Sequence, residues 1–266
     1  MTESSNIDLK IRHNAGFFSC CSIRLYEIIT YFNISKKLPN SVDSSEQFEW
    51  YKPTEFKNKD ITYHYFKEKI ECPIEFIKPV KYHWDDQYEN YKLLNYDALS
   101  PFIKNYFSPT DELLNIMNKM EKKYNIENYD NLCVLFYRGN DKVKETQLCG
   151  YEEIIEKAKQ IQVKNPDIKF LIQSDETEFI EKMKEEFPNS FYFKDEARHM
   201  KKQKSTVDIV FKNFNYRYSK FYLAITIIMS KCKYIICGSS GNCSIWIMFY
   251  RNNADNVFQY LNGMWL

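Results

Sequence analysis

Leu132-Cys133-Val134-Leu135-Phe136-Tyr137-Arg138-Gly139-Asn140-Asp141-Lys142-Val143-Lys144-Glu145 runs from six apolar residues straight into a charged loop. An apolar run of that length, bounded by Gly139 and Asn140, reads as a buried strand over 132–137. In an open α/β sheet, ligands bind beyond the carboxyl ends of such strands, which places Arg138 where a guanidinium could hold phosphate through two charge-assisted bonds. The plainer alternative is that Arg138 closes the strand by pairing with Asp141 or Glu145.

Downstream of this stretch, apolar runs alternate with helical spacing. Strands are expected at 169–173, 191–193, 233–237 and 257–260, and helices at about 150–163, 177–186, 218–230 and 242–250, with a basic loop at 198–204. Strands alternating with helices imply a doubly wound parallel sheet. Upstream, 7–12 reads as a short strand broken by His13-Asn14-Ala15-Gly16, and Leu25, Ile28, Ile29 and Phe32 mark a helix within 22–32. Residues 33–60 are polar and irregular. Short strands are expected at 61–66 and 74–80, and helices at 99–107 and 110–124, the second capped by Thr110. Residues 125–131 form a plausible joint between two α/β domains, 1–128 and 129–266.

At 266 residues the chain is long enough for one large or two small cores. Its 37 basic and 36 acidic residues leave a net charge of +1, which argues against general nucleic-acid binding. The eight cysteines contain no C-x-x-C pair and several lie in apolar runs, as expected for buried thiols in a reducing compartment. No stretch approaches the length of a membrane span and no signal peptide opens the chain, so a soluble, cytoplasmic protein is expected. His13, His64, His83 and His199 lack metal-ligand spacing, and Asp85-Asp86 reads as solvent-facing, so no metal site is expected.

Strand ends of one parallel sheet converge on one edge, so the loops after 137, 173 and 237 should be neighbours. The first carries Arg138, Asp141, Lys142 and Glu145. The second carries Gln173-Ser174-Asp175-Glu176, whose carboxylates could accept from ribose hydroxyls or, alternatively, cap a helix. The third, Gly238-Ser239-Ser240-Gly241-Asn242-Cys243-Ser244, could present backbone N–H groups to a diphosphate at a helix N-terminus, or simply make a tight turn. There is no G-x-S-x-G, Walker loop or G-x-G-x-x-G after a strand, which disfavours serine hydrolases, P-loop NTPases and dinucleotide oxidoreductases.

Together the three loops resemble the fucosyltransferase superfamily of GT-B type glycosyltransferases. Phe136-Tyr137-Arg138-Gly139-Asn140-Asp141-Lys142 is similar to its H-x-R-R-[TG]-D-K signature, Ile172-Gln173-Ser174-Asp175-Glu176 to its A-T-D-D segment, and Gly238-Ser239-Ser240-Gly241-Asn242-Cys243-Ser244 to its S-S-N-x-S loop. His13 to Ser19 resembles its N-terminal glycine loop. The resemblance implies two Rossmann-like domains facing a cleft, with 1–128 on the acceptor side and 129–266 holding a sugar nucleotide. It implies inverting, metal-independent transfer of a sugar, fucose from GDP-fucose first among related donors, to a glycan or protein hydroxyl, with no further cofactor. By position it implies that Arg138 binds the donor diphosphate and that Gly16, Asp141, Lys142, Asp175, Glu176, Ser239, Ser240, Gly241 and Asn242 build the donor site. Phe136 stands where the signature has histidine and Gly139 where it has a second arginine. Thr146 falls on the catalytic glutamate of the α1,6-enzymes, with Glu145 one position earlier as candidate base. A catalytically inactive module binding a nucleotide or glycan is the alternative from another class.

Overall fold

The computed structural model describes residues 8–67 and 73–266; Ile7, expected to open the first strand, and Cys72 lie outside them. Leu9–His13 (β1) leads into Phe17–Ser35 (α1), and the chain returns as Val42–Gln47 (β2), paired in parallel with β1. Single 3-10 turns, among them Glu49–Tyr51, Thr62–His64, Trp84–Tyr88 and Tyr91–Leu93, then carry the chain to Tyr96–Tyr106 (α2) and Asp111–Lys123 (α3). Thr110 Oγ1 accepts from Leu113 N (3.4 Å), with acidic residues in the first turn of α3 and lysines in the last, so side-chain cap and dipole agree on both ends.

The second half alternates regularly: Leu132–Tyr137 (β3), Tyr151–Lys164 (α4), Lys169–Ser174 (β4), Thr177–Glu186 (α5), Ser190–Phe191 (β5), Val207–Val210 (α6), Asn215–Lys231 (α7), Tyr234–Cys237 (β6), Asn242–Arg251 (α8), Val257–Leu261 (β7) and Met264–Trp265 (β8). The sheet runs β5-β4-β3-β6-β7-β8, parallel except for β8. After β3 the chain builds outward to β5, then returns to build the other side from β6. The switch point therefore lies between β3 and β6, where open α/β sheets bind ligands. Phe136 pairs with both Gln173 and Cys237, so the three loops leave the sheet at one level.

β3 is buried throughout, as a central parallel strand covered on both faces should be. Leu132, Val134 and Phe136 enter one apolar cluster, while Cys133, Leu135 and Tyr137 enter the other with Ile154, Phe179 and Tyr260. The first cluster is continuous across both halves of the chain. Trp246 of α8 packs on Phe18 of α1 and Phe107 at centroid distances of 6.0 and 4.7 Å, and its indole N–H donates to Ser22 Oγ (2.9 Å).

Several expectations are corrected upstream. The N-terminal half carries, among the described residues, one two-stranded sheet in place of a second Rossmann-like sheet. Residues 61–66 contain a 3-10 turn and one isolated bridge, Phe66 to Pro109, and 74–80 contains no strand. β2 was unexpected because Val-Asp-Ser-Ser-Glu-Gln has no apolar alternation. Its inward residues are polar: Ser44 Oγ accepts from Arg24, Ser44 N donates to Asp60 Oδ2 (2.7 Å), and Gln47 Nε2 donates to Cys20 O (3.2 Å). Among the described residues, no helix is long and apolar enough to cross a membrane.

Candidate active site

Arg138 leaves the end of β3 with its backbone and side chain both fixed. Its N–H donates to Ser239 Oγ (2.8 Å), so the turn after β6 holds the end of β3. Nε donates to Asp175 Oδ2 (2.7 Å), Nη2 to Asp141 Oδ1 (3.2 Å) and Nη1 to Cys243 Sγ (3.1 Å). Three of the five guanidinium N–H groups are thereby committed. The pairing with Asp141 that the plainer alternative expects is present. The stronger anchor, Asp175, was not anticipated, and Glu145 pairs elsewhere.

Asp175 and Glu176 do not cap α5 through their side chains; Ser174 Oγ accepts from Glu176 N instead (3.0 Å). Asp175 Oδ1 accepts from Gly139 N (3.0 Å) while its own carbonyl accepts from Asn140 Nδ2 (2.7 Å), so this residue shapes the Arg138 loop from beneath. Glu176 is fully buried and accepts from the Tyr151 hydroxyl; burial raises its carboxyl above the ordinary value. A Cβ on Gly139 would stand 1.9 Å from Glu176 Oε1, which gives glycine a steric reason where the resembling signature has arginine.

The third loop divides in two. Ser239 and Ser240 are buried and engaged, the latter accepting from Gln259 Nε2 (3.0 Å). Gly241 adopts φ 155°, ψ 179°, a region essentially open to glycine alone, and from there α8 begins. Asn242 and Cys243, its first residues, face the cleft. The free N–H groups and positive dipole end of a helix start favour an anion at this point.

The cleft measures about 530 Å³. Gly16, Arg138, Asp141, Lys142, Glu145 and Asn242 line it, so six of the expected site residues from three chain segments meet there. Asp175, Glu176, Ser239, Ser240 and Gly241 do not line it; they stand behind the residues that do. Lys142 pairs with Glu145, and Tyr88 also donates to Glu145 Oε2 (3.1 Å), both contacts falling on one carboxylate oxygen. Three carboxylates and one imidazole line the cleft: Glu145, Asp141, Asp208 and His13, of which Asp141 is already paired with Arg138. His13 contacts Ser19 Oγ (2.9 Å), and burial lowers its imidazole below the ordinary value, which keeps it neutral near pH 7. Asp208 accepts from Tyr51 (2.8 Å) and pairs with Arg198.

Sequence reasoning missed the upstream wall. Trp50 and Trp84 line the cleft at 40% and 38% exposure, unusual for indoles, and Tyr88 and Gln87 stand beside Trp84. The 84–88 turn is rigid because His83 Nδ1 accepts from Asp85 N (3.2 Å) and Asp86 Oδ2 accepts from His83 N (2.9 Å). Asp86, expected in solvent, is thus a cap; Asp85 is exposed as expected. Only the aromatic density of 82–91 hinted at this wall. Among the described residues, no group of three or more His, Cys, Asp or Glu side chains is placed to hold a metal ion.

No protein-family model and no curated protein matches the chain. Among solved structures it is similar to NodZ α-1,6-fucosyltransferase soaked with GDP-fucose, at 9% identity and TM-score 0.41, over 62% of this chain and 49% of that one. The same enzyme co-crystallised with GDP matches at 10% identity and TM-score 0.44, over 64% and 51%. A mutant of Arabidopsis thaliana FUT1 in complex with GDP matches at 10% and 0.37, over 64% and 37%. The chain spans about half or less of the length of these structures.

Proposed function

We propose that the cleft is the active site of a glycosyltransferase that moves a sugar, fucose foremost, from a nucleoside diphosphate to a hydroxyl of a glycan or protein. The observation that carries this reading is the convergence, at the sheet's switch point, of a rigidly held Arg138 and the N-terminus of α8 in one open cleft. That pair suits a diphosphate, and its neutralisation by fixed protein charges fits metal-independent transfer.

In the proposed step the acceptor oxygen bonds to the anomeric carbon as the bond to the diphosphate oxygen breaks, with inversion. Glu145 takes the acceptor proton; its Oε1 is the oxygen that neither Lys142 nor Tyr88 engages. Charge developing on the leaving diphosphate meets Arg138 and the first N–H groups of α8, each well-placed donor contributing roughly 3–4 kcal/mol. Residues 1–128 supply the acceptor side and 129–266 the donor side.

The test is release of nucleoside diphosphate from a panel of GDP- and UDP-sugars, with acceptor glycans present. Simple removal of Arg138 would strand Asp175 in the interior, so the informative variant is Arg138→Lys, which keeps the charge and loses the fork. It should fold and lose roughly a hundredfold or more in turnover; wild-type turnover in this variant would sink the assignment. Stabilisation by GDP with no release from any donor would reduce the protein to a nucleotide-binding module.

A further inference from the structure

Gln87 is 3% exposed and lines the cleft, yet its Oε1 has no hydrogen-bond partner. Its amide orientation is defined, because Nε2 donates to the Trp84 carbonyl (3.2 Å), leaving the accepting oxygen turned away. Oε1 lies 3.9 Å from where a Cβ on Gly241 would stand, beside the first turn of α8.

The backbone around Gln87 is clamped to that same turn. Tyr91 donates to the Gln87 carbonyl (2.9 Å), lies 2.7 Å from Ser244 Oγ and receives the Gly241 N–H (3.4 Å). Gln259 of β7 accepts from Tyr91 N (3.0 Å) and donates to the Glu89 carbonyl (2.9 Å). A buried acceptor with no donor opposes folding, and here the surroundings hold it in place instead of letting it relax. Asn242 Oδ1, at the start of α8, is a second buried acceptor without a partner.

Phosphate oxygens only accept, so a diphosphate cannot satisfy either amide oxygen; a hydroxyl can. Gln87 Oε1 stands beside the α8 turn, and the next residue, Tyr88, carries a hydroxyl that reaches Glu145. A group lying between the diphosphate anchor and the base is the sugar in transit. We infer that Gln87 is a specificity-determining residue for the donor sugar, its Oε1 accepting a hydrogen bond from a hydroxyl of the pyranose attached to the diphosphate. This rests on the sugar-nucleotide reading of the cleft.

The experiment is calorimetric titration of GDP and GDP-fucose into wild type and Gln87→Met, a substitution of similar shape without an acceptor. GDP should bind both within about twofold. GDP-fucose should bind the variant roughly tenfold more weakly, the equivalent of one hydrogen bond. The variant loses the Nε2 bond to the Trp84 carbonyl as well as the unmet acceptor, so the discriminating readout is the loss confined to GDP-fucose, with GDP binding as the internal control for folding. Parallel weakening of GDP and GDP-fucose, or no change in either, overturns the inference and leaves the proposed function standing. Wild type that binds neither GDP- nor UDP-sugars removes both. A second measurement needs no variant: among GDP-deoxysugars lacking one hydroxyl each, at least one should bind wild type about tenfold more weakly than its parent, and uniform binding across the series overturns the assignment.

Discussion

Two glycines precede the helices whose first turns reach the cleft, Gly241 before α8 and Gly16 before α1, and their surroundings are built on different terms. Around Gly241 the backbone is tied down, with Ser239 holding the Arg138 backbone, Gln259 holding Ser240 and Tyr91 reaching the Gly241 N–H, while the Gln87 and Asn242 amide oxygens are left without partners. Around Gly16 there is space; a Cβ there would meet nothing within 4 Å, and α1 starts without a side-chain cap. The downstream wall is over-determined, which suits the proposed role of holding a charged ligand in fixed geometry. The upstream wall is shaped mainly by rings and leaves room for a variable ligand.

The largest break of this contrast is Asp175→Ala. It strips Arg138 of its anchor and leaves the Gly139 N–H unpaired in a buried position. Breaking one side of a buried pair costs about 3–5 kcal/mol. Urea unfolding should show that loss, and sugar-nucleotide turnover should fall with it. A variant with wild-type stability would mean that the loop is held by its other contacts alone.

Gly241→Ala comes next. Its backbone conformation belongs to a region other residues avoid at a cost of about 1–3 kcal/mol. Relieving that strain would rotate the start of α8, so diphosphate affinity should drop together with stability. Calorimetry with GDP checks the first and thermal melting the second; an unchanged Kd would detach the helix start from ligand binding.

What the sequence revealed follows the same division. The parallel sheet and the meeting of its three loops were legible because long apolar strands with polar ends leave a strong signal at each switch of period. The anchoring of Arg138 by Asp175 was not, since a motif places a carboxylate near a loop without saying where it points. Upstream, the signals failed for identifiable reasons. β2 turns Ser44 and Gln47 inward, so its burial carries no apolar pattern. The Gln87 wall is a 3-10 turn fixed by a local cap from His83 and Asp86, and a histidine in the capping position lacks the usual Ser, Thr, Asp or Asn signal. Gly16 lines the cleft, and the helix after it begins at Phe17, five residues before the apolar spacing that starts at Ser22.

Glu176→Gln sharpens the contrast through pH. Burial raises the Glu176 carboxyl, so its proton is held more tightly in the folded state. The stability it contributes is therefore fully present below the ordinary carboxylate range and is lost as pH rises through the elevated folded value. Relative to the glutamine variant, wild type should gain stability on acidification and be no more stable at neutral pH. Melting temperatures of the pair between pH 4 and 7 check the sign; a difference that runs the other way would show the Tyr151 contact outweighing burial.

The smallest effect belongs to Gly16→Ala. At φ −56° and ψ 154° the residue occupies ordinary extended backbone, and the space beside it is open. Alanine should fold within about 0.5 kcal/mol of wild type. The resemblance of the N-terminal loop implies that this glycine belongs to the donor site, where a methyl would crowd the ligand and weaken GDP binding. The geometry points the other way, because the donors suited to the proposed diphosphate are on Arg138 and at the start of α8. Alanine should leave GDP affinity unchanged while a bulkier Gly16→Phe, projecting into the same open space, raises KM for the acceptor. If alanine alone weakens GDP, the upstream loop touches the nucleotide directly and the two turns share the anion between them.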